Sequence, residues 1–74
     1  MKQVEIFKTD VRGRAKVTCV LSLLEERYPA FDTNFDMDDD DRILRVESRS
    51  EYINGMEIES LLNEIGVYCK ILTD

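Results

Sequence analysis

Apolar and polar positions alternate in four stretches of this chain and recur at helical spacing in two others. Gln3 to Lys8 (Gln-Val-Glu-Ile-Phe-Lys) alternates, with Val4 and Ile6 on one side and Gln3, Glu5 and Phe7 on the other, the pattern of a half-buried strand. Phe7 is then the apolar exception on a polar, outward face. From Gly13 onward, Val17, Val20, Leu21, Leu24 and Tyr28 follow the i, i+3, i+4 rule and predict one helix with a single inward stripe. Thr9 or Asp10 could cap its free amides, and Pro29 ends it by disfavouring the helical conformation of Tyr28. The opposite side of this helix carries a thinner apolar row, Ala15, Cys19 and Leu23, spaced four apart.

Ala30 to Asp38 alternates again, with Phe31, Thr33, Phe35 and Met37 inward and Asp32, Asn34, Asp36 and Asp38 outward. Asp38 to Asp41 reads as a turn. Arg42 to Ser48 resumes a strand with Leu44 and Val46 inward and Ile43, Arg45 and Glu47 outward, so the two strands form an antiparallel hairpin. Asn54 and Glu57 make an Asn-x-x-Glu capping pair, flanked by Ile53 and Ile58 as a hydrophobic staple. The second helix starts near Gly55, buries Ile58, Leu61, Leu62 and Ile65, and closes at Gly66. Val67 to Leu72 is a last short strand with Val67, Cys69 and Ile71 inward. The order strand, helix, strand, strand, helix, strand predicts an α+β fold, the ferredoxin-like βαββαβ sandwich: a four-stranded antiparallel sheet with two helices on one face. The outer face of that sheet is expected to carry Glu5, Phe7, Asp32, Asp36, Arg45 and Glu47.

Composition narrows the function more than the fold. A chain of 74 residues reads as one domain, 1–74, and buries only about 60% of its unfolded surface. With 43% hydrophobic and 35% charged residues it has the profile of a soluble globule, and no apolar run reaches the roughly 20 residues that span a bilayer. The start lacks the apolar core of a signal peptide, so the expected compartment is the cytoplasm, with no membrane association. A net charge of −6, from 16 acidic and 10 basic residues, repels polyanions and argues against nucleic acid as a partner. The absence of histidine removes the commonest general base and the commonest nitrogen ligand for transition metals. No cofactor is expected and nothing pairs a nucleophile with a base, so the chain reads as non-enzymatic. Tyr28, Tyr52 and Tyr68 are expected at core edges and helix ends.

At the level of core positions the chain resembles the heavy-metal-associated domains of copper chaperones and metal-transporting ATPases. The likeness rests on Val4-Glu5-Ile6-Phe7, the helix with Val17 and Leu21, Phe35-Asp36-Met37-Asp38, Ile43-Leu44-Arg45-Val46 and the stretch from Leu61 to Tyr68. Such domains carry a Met-x-Cys-x-x-Cys loop between first strand and first helix, whose two thiolates hold a soft ion such as Cu(I). Here the loop reads Lys8-Thr9-Asp10-Val11-Arg12-Gly13-Arg14: with Thr9 in the methionine's place, Val11 and Arg14 stand where the cysteines belong, and a register one earlier gives Asp10 and Gly13. The resemblance therefore implies the fold and argues against the metal chemistry. Cys19 and Cys69 are expected on different faces as free thiols, not as a shared metal site. Asp32-Thr33-Asn34-Phe35-Asp36 matches the start of a calcium loop, but Met37 and Ile43 occupy the positions that need Gly and Glu.

The chain is thus expected to be a small binding or interaction module, engaging a protein partner or itself. Candidate contact residues are Phe7, Thr9, Asp10, Val11 and Arg14 around the turn and Ala15, Cys19 and Leu23 on the helix. The alternative is a sensor of a small ligand or metal using the 7–13 turn or the Cys19 thiol. For the ligand form, Asp10-Val11-Arg12-Gly13 ahead of Val20-Leu21-Ser22-Leu23-Leu24 is similar to the helix start of ACT regulatory domains, which bind amino acids between paired domains.

Overall fold

The computed structural model describes residues 2–36 and 42–72. Four strands and two helices follow one another as β1 (Gln3–Thr9), α1 (Arg14–Arg27), β2 (Asp32–Asp36), β3 (Ile43–Ser48), α2 (Gly55–Glu64) and β4 (Cys69–Ile71). The strands form one antiparallel sheet in the order β2-β3-β1-β4, which is the ferredoxin-like arrangement. The β2–β3 hairpin is as the alternation predicts, with Phe35 opposite Leu44 and Thr33 opposite Val46 on the inner face. Met37 and the turn at 38–41 lie outside the described residues.

The phase of β1 is the opposite of the expectation. Phe7 is 0% exposed, opposite Leu44 in β3 and Ile71 in β4, and it sits in the core with Val20, Leu24, Val46, Ile58 and Leu62. Val4, at 38% exposed, turns to the outer face with Ile6 and Lys8. The cause is what the other inward residues of β1 can do. The Gln3 amide clamps the backbone of Ile53, its Oε1 accepting from the Ile53 N–H at 3.2 Å and its Nε2 donating to the Ile53 carbonyl at 3.4 Å. Thr9 is buried with its hydroxyl paired. A buried polar group with its bonds made costs little, so Gln3 and Thr9 can share the inner face with a phenylalanine.

Helix α1 buries Val20 and Leu24 and packs Val17, Leu21 and Tyr28 against the core. Its first residue follows Gly13, which is at φ +83° and supplies no side-chain cap. The expected cap at Thr9 or Asp10 is absent because the helix starts at Arg14, beyond reach of either, and both side chains bond elsewhere. Helix α2 starts as predicted: the Asn54 side chain accepts from the Glu57 N–H at 3.3 Å, with Ile53 and Ile58 buried on either side. It ends in a full Schellman motif, Val67 N–H to the Leu62 carbonyl and Gly66 N–H to Asn63, both at 3.0 Å, with Gly66 at φ +80°. Ile65, expected in the core, is part of the exposed last turn. The Tyr28 hydroxyl donates to Glu57 at 2.5 Å, and the Tyr28 ring stacks on Phe31 with centroids 5.1 Å apart. The Glu59 carboxylate accepts the Ile71 N–H at 2.6 Å, fastening α2 to β4.

Candidate functional site

The β1–α1 turn keeps its polar groups for the fold. The Thr9 hydroxyl donates to the Arg42 carbonyl at 2.6 Å and accepts the Val11 N–H at 3.3 Å, while Asp10 Oδ1 accepts the Tyr68 N–H at 2.9 Å. Together these bonds tie the turn to the start of β3 and to the approach to β4. Val11 is 1% exposed and belongs to the core. Of the candidate contact residues in this region, Phe7, Thr9 and Val11 are therefore buried, and Asp10 and Arg14 remain on the surface. With Arg12, Arg14 and Lys16 exposed and no acid in its first turn, the start of α1 is electropositive.

The outward row of α1 is shorter than its spacing suggested. Ala15 and Cys19 are exposed, but Leu23 is half-buried and packs against the core. Leu23 follows Val20 by three residues, so it borders the inward stripe, and a leucine side chain is long enough to reach the margin of the sheet. The two thiols lie in unlike surroundings. Cys19 is exposed, whereas Cys69 is buried on β4, where desolvation and then the nearby Glu59 charge push its pKa from 9.0 to about 12. Among the described residues no group of three or more His, Cys, Asp or Glu side chains is gathered, and no cavity is found.

What the fold does leave open is the sheet face turned away from the helices. Three cross-strand rows cover it. Asp32, Glu47 and Val4 form the first; Asn34, Arg45 and Ile6 the second, which Leu72 extends through its 2.8 Å bond to the Ile6 carbonyl; Asp36, Ile43, Lys8 and Lys70 the third. Val4, Ile6, Ile43 and Leu72 give the face an apolar centre, with Leu72 45% exposed. Charges frame it unevenly: the β2 margin carries Asp32 and Asp36, and the β1–β4 margin carries Lys8 and Lys70. Near the middle Glu47 takes ion pairs from Arg45 at 3.3 Å and Lys2 at 3.7 Å. These exposed pairs order the side chains more than they stabilise the fold.

The alternation of β2 and β3 did place Asp32, Asp36, Arg45, Glu47 and Ile43 on this face. Glu5 and Phe7, also expected there, face inward instead, and Val4 and Ile6 take their positions. Cross-strand register was the missing signal: Phe7 stands opposite the inward Leu44, and no single strand reveals that. A second exposed apolar pair, Tyr52 (78%) and Met56 (72%), flanks the first turn of α2. Tyr52 is thus fully on the surface and Tyr28 at the core's margin.

No protein-family model, curated protein or solved structure matches the chain. Among the described residues no helix is long and apolar enough to cross a membrane.

Proposed function

We propose that this chain is a small non-enzymatic interaction module with a fold of the heavy-metal-associated type but without its thiolate pair, and that it docks a protein through the open face of its sheet. The observation that carries the reading is the apolar centre formed by Val4, Ile6, Ile43 and Leu72, on a face that no described helix covers. Contiguous apolar surface framed by charge is the usual composition of a protein contact, with a desolvated centre and a polar rim. The turn from Phe7 to Gly13 is less suited to a ligand because Thr9 and Asp10 are committed to backbone partners. The module is read as cytoplasmic, which accords with Cys19 and Cys69 as free cysteines.

The test compares the tagged wild-type chain with a Val4→Asp/Leu72→Asp variant in pull-downs from its own cells and in sedimentation. Both positions are partly exposed, so the variant is expected to melt within a few degrees of wild type. The wild type should retain a protein, either another chain or itself, and the variant should lose it. If the variant retains the same protein, or the wild type retains none and does not self-associate, the reading is wrong.

A further inference from the structure

We propose that the occupant of the open sheet face is a second copy of this chain, lying face to face across a twofold axis that runs along the strands. The inference rests on the docking face proposed above and adds the identity and orientation of the partner. Its basis is the way charge is distributed across the strand order β2-β3-β1-β4: acid on β2, Lys8 and Lys70 on β1 and β4 beside Val4, Ile6 and Leu72, and Ile43, Arg45 and Glu47 on β3 between them.

Two in-plane twofold axes can bring this face against itself. An axis across the strands lays each strand on its own copy, which sets Asp36 over the partner copy's Asp32 and Arg45 over Arg45. An axis along the strands lays β2 over β4 and β3 over β1. Asp36 then faces Lys70, Ile43 faces Lys8, Arg45 faces Ile6 and Asn34 faces Leu72, each pair occurring twice. Among the pairs that join described residues no like charges meet, the aliphatic stems of Lys8 and Arg45 lie on Ile43 and Ile6, Glu47 faces Val4, and Asp32 lies over no described residue. The twist of each sheet turns the two copies by about 30°, which displaces the corners but keeps the Asp36 end of β2 in one copy over the Lys70 end of β4 in the other.

Pairing through strand edges is the competing way to join two copies, and charge opposes it. Two β2 strands aligned antiparallel about Asn34 would put Asp32 directly opposite Asp36 at both ends, and like charges opposite one another destabilise a ladder. The size of the face sets the strength of the contact. Four strands about 4.8 Å apart and five residues long at about 3.3 Å each offer about 320 Å² per copy, roughly 630 Å² for the pair, about half of what the smaller stable interfaces bury. The dimer is therefore weak and concentration-dependent. The net charge of −6 on each copy adds a general repulsion, which salt screens beyond about 8 Å at physiological ionic strength.

The test is sedimentation velocity from low micromolar to millimolar protein at physiological salt, with the melting temperature of each variant as a fold control. Wild type should show a reversible monomer–dimer equilibrium. Asp36→Lys and Lys70→Glu, both at exposed positions, should each weaken it on the order of tenfold, since each puts like charges together at two symmetry-related contacts. An equimolar mixture of the two variants should recover a heterodimer. In it the lysine introduced at position 36 of one chain meets the glutamate introduced at position 70 of the other, while the unaltered Lys70 of the first meets the unaltered Asp36 of the second. A wild type that stays monomeric overturns the proposal, as does dimerisation unaffected by both substitutions or a mixture without recovery. Should the wild type be monomeric while the Val4→Asp/Leu72→Asp variant still loses a partner from extracts, the second copy is excluded and the docking face stands. Should both experiments fail, both readings fall.

Discussion

Reversing the expected phase of β1 makes a quantitative demand on two neighbouring apolar residues. Phe7 is 0% exposed between Leu44 and Ile71, so Phe7→Ala removes a whole aromatic ring from the core and leaves a cavity that strand and helix backbones cannot close. Such truncations cost about 3–5 kcal/mol. For 74 residues the unfolding entropy at the midpoint is about 155 cal/mol/K, so each kcal/mol moves the melting temperature by about 6 °C. Phe7→Ala should lower it by about 20–30 °C, and because a domain of this size has only about 4–11 kcal/mol in total, much of the variant could be unfolded at 37 °C. Phe7→Leu, which keeps most of the volume, should cost less than about 1.5 kcal/mol and keeps the comparison measurable. Val4, already 38% exposed, should lose less than about 1 kcal/mol on truncation to alanine, or under about 6 °C. Thermal unfolding followed by circular dichroism, with urea titrations at 25 °C, reads all three. If Val4→Ala is the costlier change, β1 presents its other face to the helices and the open-face assignments are wrong.

Three further measurements check local features. Asn54→Ala removes the side chain that accepts the Glu57 N–H and should cost about 1 kcal/mol in urea unfolding, whereas Asn54→Asp should retain most of the stability. Gly66→Ala puts a Cβ on a residue at φ +80° and should cost about 1–2 kcal/mol, though its Cβ would touch nothing, so the loss reports backbone conformation alone. A thiol reagent at pH 8 should modify one cysteine per native chain, Cys19, and two in denaturant. Cys69 keeps its proton in the folded state up to about pH 12, whereas the unfolded chain releases it from about 9.0. Its contribution is therefore complete below pH 9 and is lost as pH rises towards 12; Tyr28, raised by burial and then by its bond to Glu57, acts in the same direction. Replacing Cys69 with alanine should reduce the alkaline part of that loss.

Elements whose signals are local were legible in the chain. The Asn54 cap, the Gly66 closure and the β2–β3 alternation each depend on residues within a few positions of one another, and each is found where its chemistry puts it. What was not legible depended on residues far apart in sequence. Counting apolar side chains in β1 favours Val4 and Ile6 over Phe7, and only the Gln3 clamp on Ile53, fifty positions away, explains how a glutamine can line the inner face. The helix start failed for a related reason: Thr9 and Asp10 are good caps in isolation, but Arg42 and Tyr68 take their side chains first. The candidate surface followed the same division. The acidic margin on β2 came from alternation alone, whereas the basic margin needs the β1–β4 register that places Lys8 beside Lys70. The resemblance to heavy-metal-associated domains rests on core positions alone, and core positions leave the open sheet face free to vary.

The carboxylate of Glu59 on the Ile71 amide also bears on stoichiometry. A sheet with two bare edges can add neighbours on both sides and grow into a fibre, whereas one that keeps a single bare edge can be joined there only once. With β4 three residues long and its outward amide at Ile71 occupied, this sheet offers a new strand fewer partners at its β4 edge than at its β2 edge. Were the acidic repulsion at β2 neutralised by low pH or by substitution, edge pairing would be favoured at β2 over β4, joining two chains into eight strands before any further growth. Glu59 thus leaves the β4 edge less open to an added strand than the β2 edge.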